Sequence, residues 1–149
     1  RLTWCQHCEI GSGCGIYAER PPECAAFYCD YRLNEWLGEE WRPATCGMIM
    51  TYEPTARRVE IQVDPAKGQI WRTAPYYQQI KMIAENALRG QGYLIVWEKS
   101  EAIGVLPDRE VNLGPVTADT VVVTCTPVNG GVRYEIGLMD PHDPRHKGS

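Results

Sequence analysis

From residue 47 onward, short runs of alternating apolar and polar residues are broken once by a longer apolar stripe with helical spacing. Val59, Ile61 and Val63 alternate with Arg58, Glu60 and Gln62, the period-two signature of a half-buried strand. With the turn Tyr52-Glu53-Pro54-Thr55 before it, this run predicts a hairpin of strands 47–53 and 58–64. Tyr76, Tyr77, Ile80, Ile83, Ala84, Ala87 and Leu88 then recur at steps of three and four, so residues 74–89 predict an amphipathic helix. Thr73 is its expected N-cap, Pro75 lies just inside its start, and Gly90 is the expected C-cap. Further strands are predicted at 93–98 and 102–106, with a short edge strand at 109–113. Runs 120–126 and 132–138 flank Val128-Asn129-Gly130-Gly131, in which Asn-Gly is a strong hairpin signal. The sum is one main helix on a mostly antiparallel sheet, an α+β arrangement.

Residues 1–46 read differently. They are rich in Cys, Gly, Glu, Trp and Pro and poor in aliphatic residues. Arg20-Pro21-Pro22 predicts a helix entry, with a short helix over 22–33. The chain thus divides into a cysteine-rich segment, 1–46, docked on an α+β module, 47–139, and a polar tail, 140–149, expected to be mobile. The chain opens without Met, an apolar h-region or a small-residue cleavage site, so a trimmed start or further upstream residues are expected.

Composition narrows the chemistry. The 149 residues are 44% hydrophobic and 23% charged, enough for a packed core. A net charge of −4 gives no bulk attraction to nucleic acid or to an anionic membrane, and no apolar run approaches the ~20 residues of a membrane-spanning helix. Neither is therefore expected as a partner. Seven cysteines are an odd number, and five of them crowd between Cys5 and Cys29. A disulfide scaffold would staple the whole fold; clustering favours a metal site in a reducing compartment, which predicts a cytoplasmic protein.

The cluster reads Cys5-x2-Cys8-x5-Cys14-x9-Cys24-x4-Cys29. Two cysteines two residues apart can offer both sulfurs from one tight turn, and further ligands can arrive from a later loop or helix. Soft thiolates select Zn²⁺ or iron–sulfur clusters over Mg²⁺ or Ca²⁺. Cys24 and Cys29 would stand about 140° apart around a continuous helix. Both can face one ion only if that helix ends or distorts between them; otherwise there are two metals, or one cysteine is left off the ion. The expected ligands are Cys5, Cys8, Cys14, Cys24 and Cys29, with Cys5 and Cys8 the core pair and His7 turned away. Cys46, at the junction, is set apart as a possible late ligand. Cys125, alternating with Val121 and Val123, reads as a buried core thiol.

Residues 14–29 carry Cys14-x-Ile16-Tyr17-x-x-Arg20-Pro21-x-x-Cys24-x-x-Phe27-x-Cys29. This resembles the signature of the YkgJ-type cysteine-cluster family of bacteria, described as zinc- or iron-chelating proteins. Trp4-Cys5-Gln6-His7-Cys8 and Trp36-Leu37-Gly38 are similar to one of its subgroups, so the resemblance spans roughly residues 4–38. The cysteine cluster that precedes this signature in the family is absent here, which leaves the implied metal count open. The resemblance implies ligands and no settled activity. Tyr17 and Phe27 are expected to pack a small core around the metal, and Arg20 to offset its charge, since Zn²⁺ held by four thiolates is a net dianion.

Other constellations fail on context. Gly11-x-Gly13-x-Gly15 follows no strand and opens no helix, against a phosphate loop. Cys5-x-x-Cys8 lacks the strand and helix of a thioredoxin-like motif. No nucleophile–base pair assembles from His7, His142 and His146, and Asp140, His142, Asp143 and His146 lie on a tail whose ordering costs entropy. A zinc-knuckle role on RNA fails on spacing and charge. Trp71 and Trp97 read as core or interface anchors, and Trp36 and Trp41 as cover for the joint between the two parts. Three functions remain: a non-catalytic protein binding zinc through thiolates; an iron–sulfur or iron-binding redox protein, set second because the spacing does not match ferredoxin runs; and a partner-binding module, its protein partner unknown, in which zinc is structural.

Overall fold

The computed structural model describes residues 5–9, 12–27 and 30–139. The chain begins with a small hairpin, β1 (Cys8–Glu9) and β2 (Gly13–Cys14), followed by short helices α1 (Pro22–Ala26), α2 (Asp30–Leu33) and α3 (Pro43–Cys46). Strands β3 (Met48–Glu53) and β4 (Arg58–Val63) come next, then helix α4 (Tyr76–Arg89) and strands β5 (Tyr93–Glu98), β6 (Glu101–Val105) and β7 (Glu110–Gly114). A second hairpin, β8 (Val121–Val128) and β9 (Gly131–Leu138), ends the described chain. The fold is α+β, as the periodicity predicts. No helix among the described residues is long and apolar enough to cross a membrane.

Strands β3 to β7 form one sheet in sequence order. β4 and β5 are its parallel pair, and the other three junctions are antiparallel. The parallel pair exists because α4 carries the chain back across the sheet, the crossover that such a pair requires. Tyr76, Ile80, Ala84 and Leu88 are the buried residues of α4, at the four-residue spacing read from the sequence. Ile80 and Ala84 pack with Met48, Ile61, Leu94, Val96 and Val105 in one core.

Side chains alternate across a strand, so the sheet has a second face. There Ile95 and Ala102 join Leu88, Leu106, Val121 and Ile136 in a second core, beneath the β8–β9 hairpin. The sheet is therefore covered on both sides. Gly104 makes the close approach possible: a Cβ there would lie 2.6 Å from Ile136 Cδ1. Arg109 fastens the hairpin further by donating to Tyr134 O at 2.9 Å.

Three local expectations are corrected. The helix expected over 22–33 is two helices, because Phe27 takes an extended conformation that stops α1. Thr73 does not cap α4; its hydroxyl donates to Ile70 O at 2.6 Å, and the helix starts at Tyr76. Cys125 is exposed instead of buried, because beyond Val123 the paired strands β8 and β9 extend past the five-stranded sheet into solvent. The arm beyond it carries Val128 and Val132, both about half exposed. The expected tail, 140–149, lies outside the described residues.

Candidate metal centre

The cysteine segment is built from turns. Cys8 N–H donates to Cys5 O at 2.9 Å, closing a tight turn over Gln6 and His7. His7 N–H points at Cys5 Sγ, 3.5 Å away. The chain then enters β1, reverses through Ser12, whose N–H donates to Glu9 O at 2.9 Å, and returns as β2. Cys8 and Cys14 are thereby set directly opposite each other, and Glu9 opposite Gly13. Glu9 folds its carboxylate over Gly15, where an added Cβ would lie 3.2 Å from Oε1.

Cys24 lies on α1, beyond the 3-10 turn Tyr17–Glu19, and is exposed. Because α1 ends at Ala26, Cys24 and Cys29 do not share a continuous helix, the condition under which both can face one ion. Cys29 itself lies outside the described residues. Cys5 and Cys14 are exposed and Cys8 is half-buried, all as free thiols. Among the described residues no group of three Cys, His, Asp or Glu side chains converges tightly enough to hold an ion. The hairpin brings Cys8 to Cys14, with Cys5 one turn away.

The residues expected to pack around the metal lie at the surface. Tyr17 is 64% exposed and Phe27 55% exposed. Arg20 lies over the Tyr17 ring, 4.1 Å from its centroid, and donates to Tyr17 O at 2.8 Å. Neither the Tyr17–Glu19 turn nor α1 contains a buried residue. Elements of three and five residues with few aliphatic side chains cannot enclose a core of their own.

Burial begins with the stretch that joins this segment to the sheet. Leu37, Trp41 and Cys46 belong to the main core. Trp41 is 2% exposed, meets Tyr76 edge-to-face at 5.4 Å and donates its indole N–H to Gln79 Oε1. Tyr76 returns a hydrogen bond to Glu40 O at 2.8 Å. Trp41 thus takes the covering role read for it, whereas Trp36 is 61% exposed. Cys46 is fully buried, its sulfur between Trp41 O, Met48 O and Met48 N–H.

Two polar clusters on the sheet were not legible in the sequence. Arg58 is buried on the face beneath β8 and pairs with Glu60 at 2.7 Å, while Trp97 N–H donates to Glu60 Oε2 at 2.8 Å. Burial opposes the charge of Arg58, but hydrogen bonds and attraction from Tyr93 and Glu60 outweigh it and hold the guanidinium above its ordinary value. At the carboxyl ends of β4 and β5 lies a shallow cavity of about 440 Å³. Its carboxylates are already engaged: Asp64 by Ala66 N–H, Glu98 by Trp71, Arg72 and Gln69, and Glu101 by Asn112.

Comparison with family models, with curated proteins and with solved structures found nothing that matches this chain.

Proposed function

We propose that the chain is a metal-binding, non-catalytic protein of the cytoplasm that holds Zn²⁺ through thiolates drawn from Cys5, Cys8, Cys14, Cys24 and Cys29. One observation carries this reading: a hairpin with no core of its own, entered by a tight turn from Cys5, sets Cys8 opposite Cys14. The donor chemistry fits. Accessible sulfurs are soft ligands. The resemblance of residues 14–29 to the YkgJ-type signature points to Cys14, Cys24 and Cys29 among these ligands.

When bound, the ion supplies a fixed point to which Cys24 and Cys29 can be tied. The chain's own residues do the rest. The Cys5–Cys8 turn and the β1–β2 pairing hold sulfurs in place before binding, and Trp41 anchors the following stretch to the core. The exposed Tyr17 and Phe27 are then available to cover the closed knot.

Elemental analysis of the full chain, purified under reducing, anaerobic conditions, tests the proposal. About one zinc per chain and a colourless protein are expected. Iron with absorption near 400 nm would move the assignment to the iron–sulfur reading. A chain that carries no metal and takes up no zinc on titration would end it.

A further inference from the structure

We propose that Cys8 and Cys14 form a dithiol–disulfide couple, whose closure withdraws both sulfurs from the thiolate set. The withdrawal rests on the zinc reading above; the couple rests on the hairpin alone. Cys8 and Cys14 are Cα partners in an antiparallel pairing. The flanking bond, Gly15 N–H to His7 O at 2.8 Å, makes His7 and Gly15 the hydrogen-bonded pair and Cys8 and Cys14 the non-hydrogen-bonded one. Residues paired in this way have Cα atoms about 4.5 Å apart and side chains on one face. That separation falls within the roughly 4.4–6.8 Å that a disulfide spans. Both thiols are free, Cys14 exposed and Cys8 half-buried, so a small disulfide can reach them. A loop this short takes little entropy from the unfolded chain, so the bond is only modestly favoured and stays open to exchange.

With glutathione disulfide as oxidant the step balances. Cys8, as thiolate, attacks one sulfur of the reagent. The reagent's S–S bond breaks, a Cys8–glutathione mixed disulfide forms and one glutathione thiolate leaves. Cys14, as thiolate, attacks Cys8 Sγ, forms the Cys8–Cys14 bond and displaces the second glutathione thiolate. Two cysteine thiols are oxidised and the reagent is reduced to two glutathiones. These take up the two protons that the cysteines release to water.

The test uses the full chain, freed of metal, incubated with glutathione disulfide, alkylated and cleaved after glutamate. Cleavage at Glu9 separates residues 1–9, which hold Cys5 and Cys8, from residues 10–19, which hold Cys14. The two peptides should emerge joined by a disulfide in the native chain and in Cys5→Ser, and unjoined in Cys14→Ser. Peptide 1–9 short of two hydrogens and free of 10–19 would mean a Cys5–Cys8 bond and would overturn the couple. So would glutathione resting separately on Cys8 and Cys14. Excess Zn²⁺ should slow the joining of the native chain at least tenfold. An unchanged rate overturns the withdrawal of the sulfurs. If the reduced chain also takes up no zinc, the zinc reading falls while the couple stands. Zinc uptake with no joined peptide is the reverse result, removing the couple and leaving the zinc reading.

Discussion

Gly104 and Ile136 provide a quantitative test of how the second hairpin sits on the sheet. Gly104 lies in β6 between Ile95 and Val111, and a methyl replacing its hydrogen would fall 2.6 Å from Ile136 Cδ1 and 2.8 Å from Cγ2. Ile136 is 7% exposed, so it has little room to retreat. Forcing an extra methyl into such a contact costs about 1–3 kcal/mol. Replacing a flexible glycine within a strand returns about 0.5–1 kcal/mol. Gly104→Ala should therefore lose about 1–2 kcal/mol. Ile136→Ala deletes the clashing atoms but opens a cavity, at a cost of about 2–5 kcal/mol. In the double variant the new methyl enters space that Ile136 has vacated, so the loss should fall short of the sum by about 1–2 kcal/mol. Urea unfolding of the native chain, both single variants and the double variant measures this coupling, provided the slopes agree. Losses that add to within about 0.5 kcal/mol would show that the two residues do not touch and would refute the seating of β9 over β6.

Other substitutions probe the remaining supports. Trp41→Phe keeps the edge-to-face contact with Tyr76 and loses the hydrogen bond to Gln79, for about 1 kcal/mol, whereas Trp41→Ala should cost about 3–5 kcal/mol in thermal or urea unfolding. Gly92→Ala would drive a Cβ to 2.0 Å from the backbone oxygen of Arg57, and relief requires the strand itself to move; a loss of about 3 kcal/mol or more is expected, and a neutral result would contradict the Arg57–Gly92 packing. Arg58→Met leaves Glu60 half-buried with only the Trp97 N–H, a loss of about 2–3 kcal/mol that Arg58→Met/Glu60→Gln should partly restore. Hydrogen bonds from Ala56 N–H, and then Thr55 N–H, hold the Glu53 carboxyl below its ordinary 4.5. Its contribution is present above that value and lost as pH falls through the lowered one, so the stability gap between native chain and Glu53→Gln should narrow on acidification below pH 4.5.

The sheet was legible because its residues obey one rule at a time. Val59, Ile61 and Val63 face α4, Arg58 and Glu60 face away, and the alternation alone states this. Ile80, Ala84 and Leu88 announce a helix by spacing. Alternation fails where a strand outruns the surface it packs on. Cys125 has the same parity as Val121 and Val123, but no sheet lies beneath it, so a buried position by pattern is an exposed one in space. The Arg58–Glu60–Trp97 cluster was hidden for a related reason. A charged residue on the polar side of a strand reads as solvated until β8 is known to cover it.

The cysteines show the same division between spacing and placement. The interval from Cys5 to Cys8 foretells a tight turn, but nothing in it says that Cys14 returns opposite Cys8; that follows from the reversal at Ser12. Burial then separates the two parts of the N-terminal region. Leu37, Trp41 and Cys46 draw their order from the main core, so removing any ligand should leave them in place. The Tyr17–Glu19 turn and α1 have no buried residue to hold them, and hydrophobic burial cannot supply the free energy that fixes Cys24 near the hairpin. Under the zinc reading that free energy comes from the sulfur–metal bonds, and the cost of ordering residues 15–27 is subtracted from the affinity. Closing the Cys8–Cys14 bond would remove two of those donors at once. The hairpin would remain intact while the link to α1 was released.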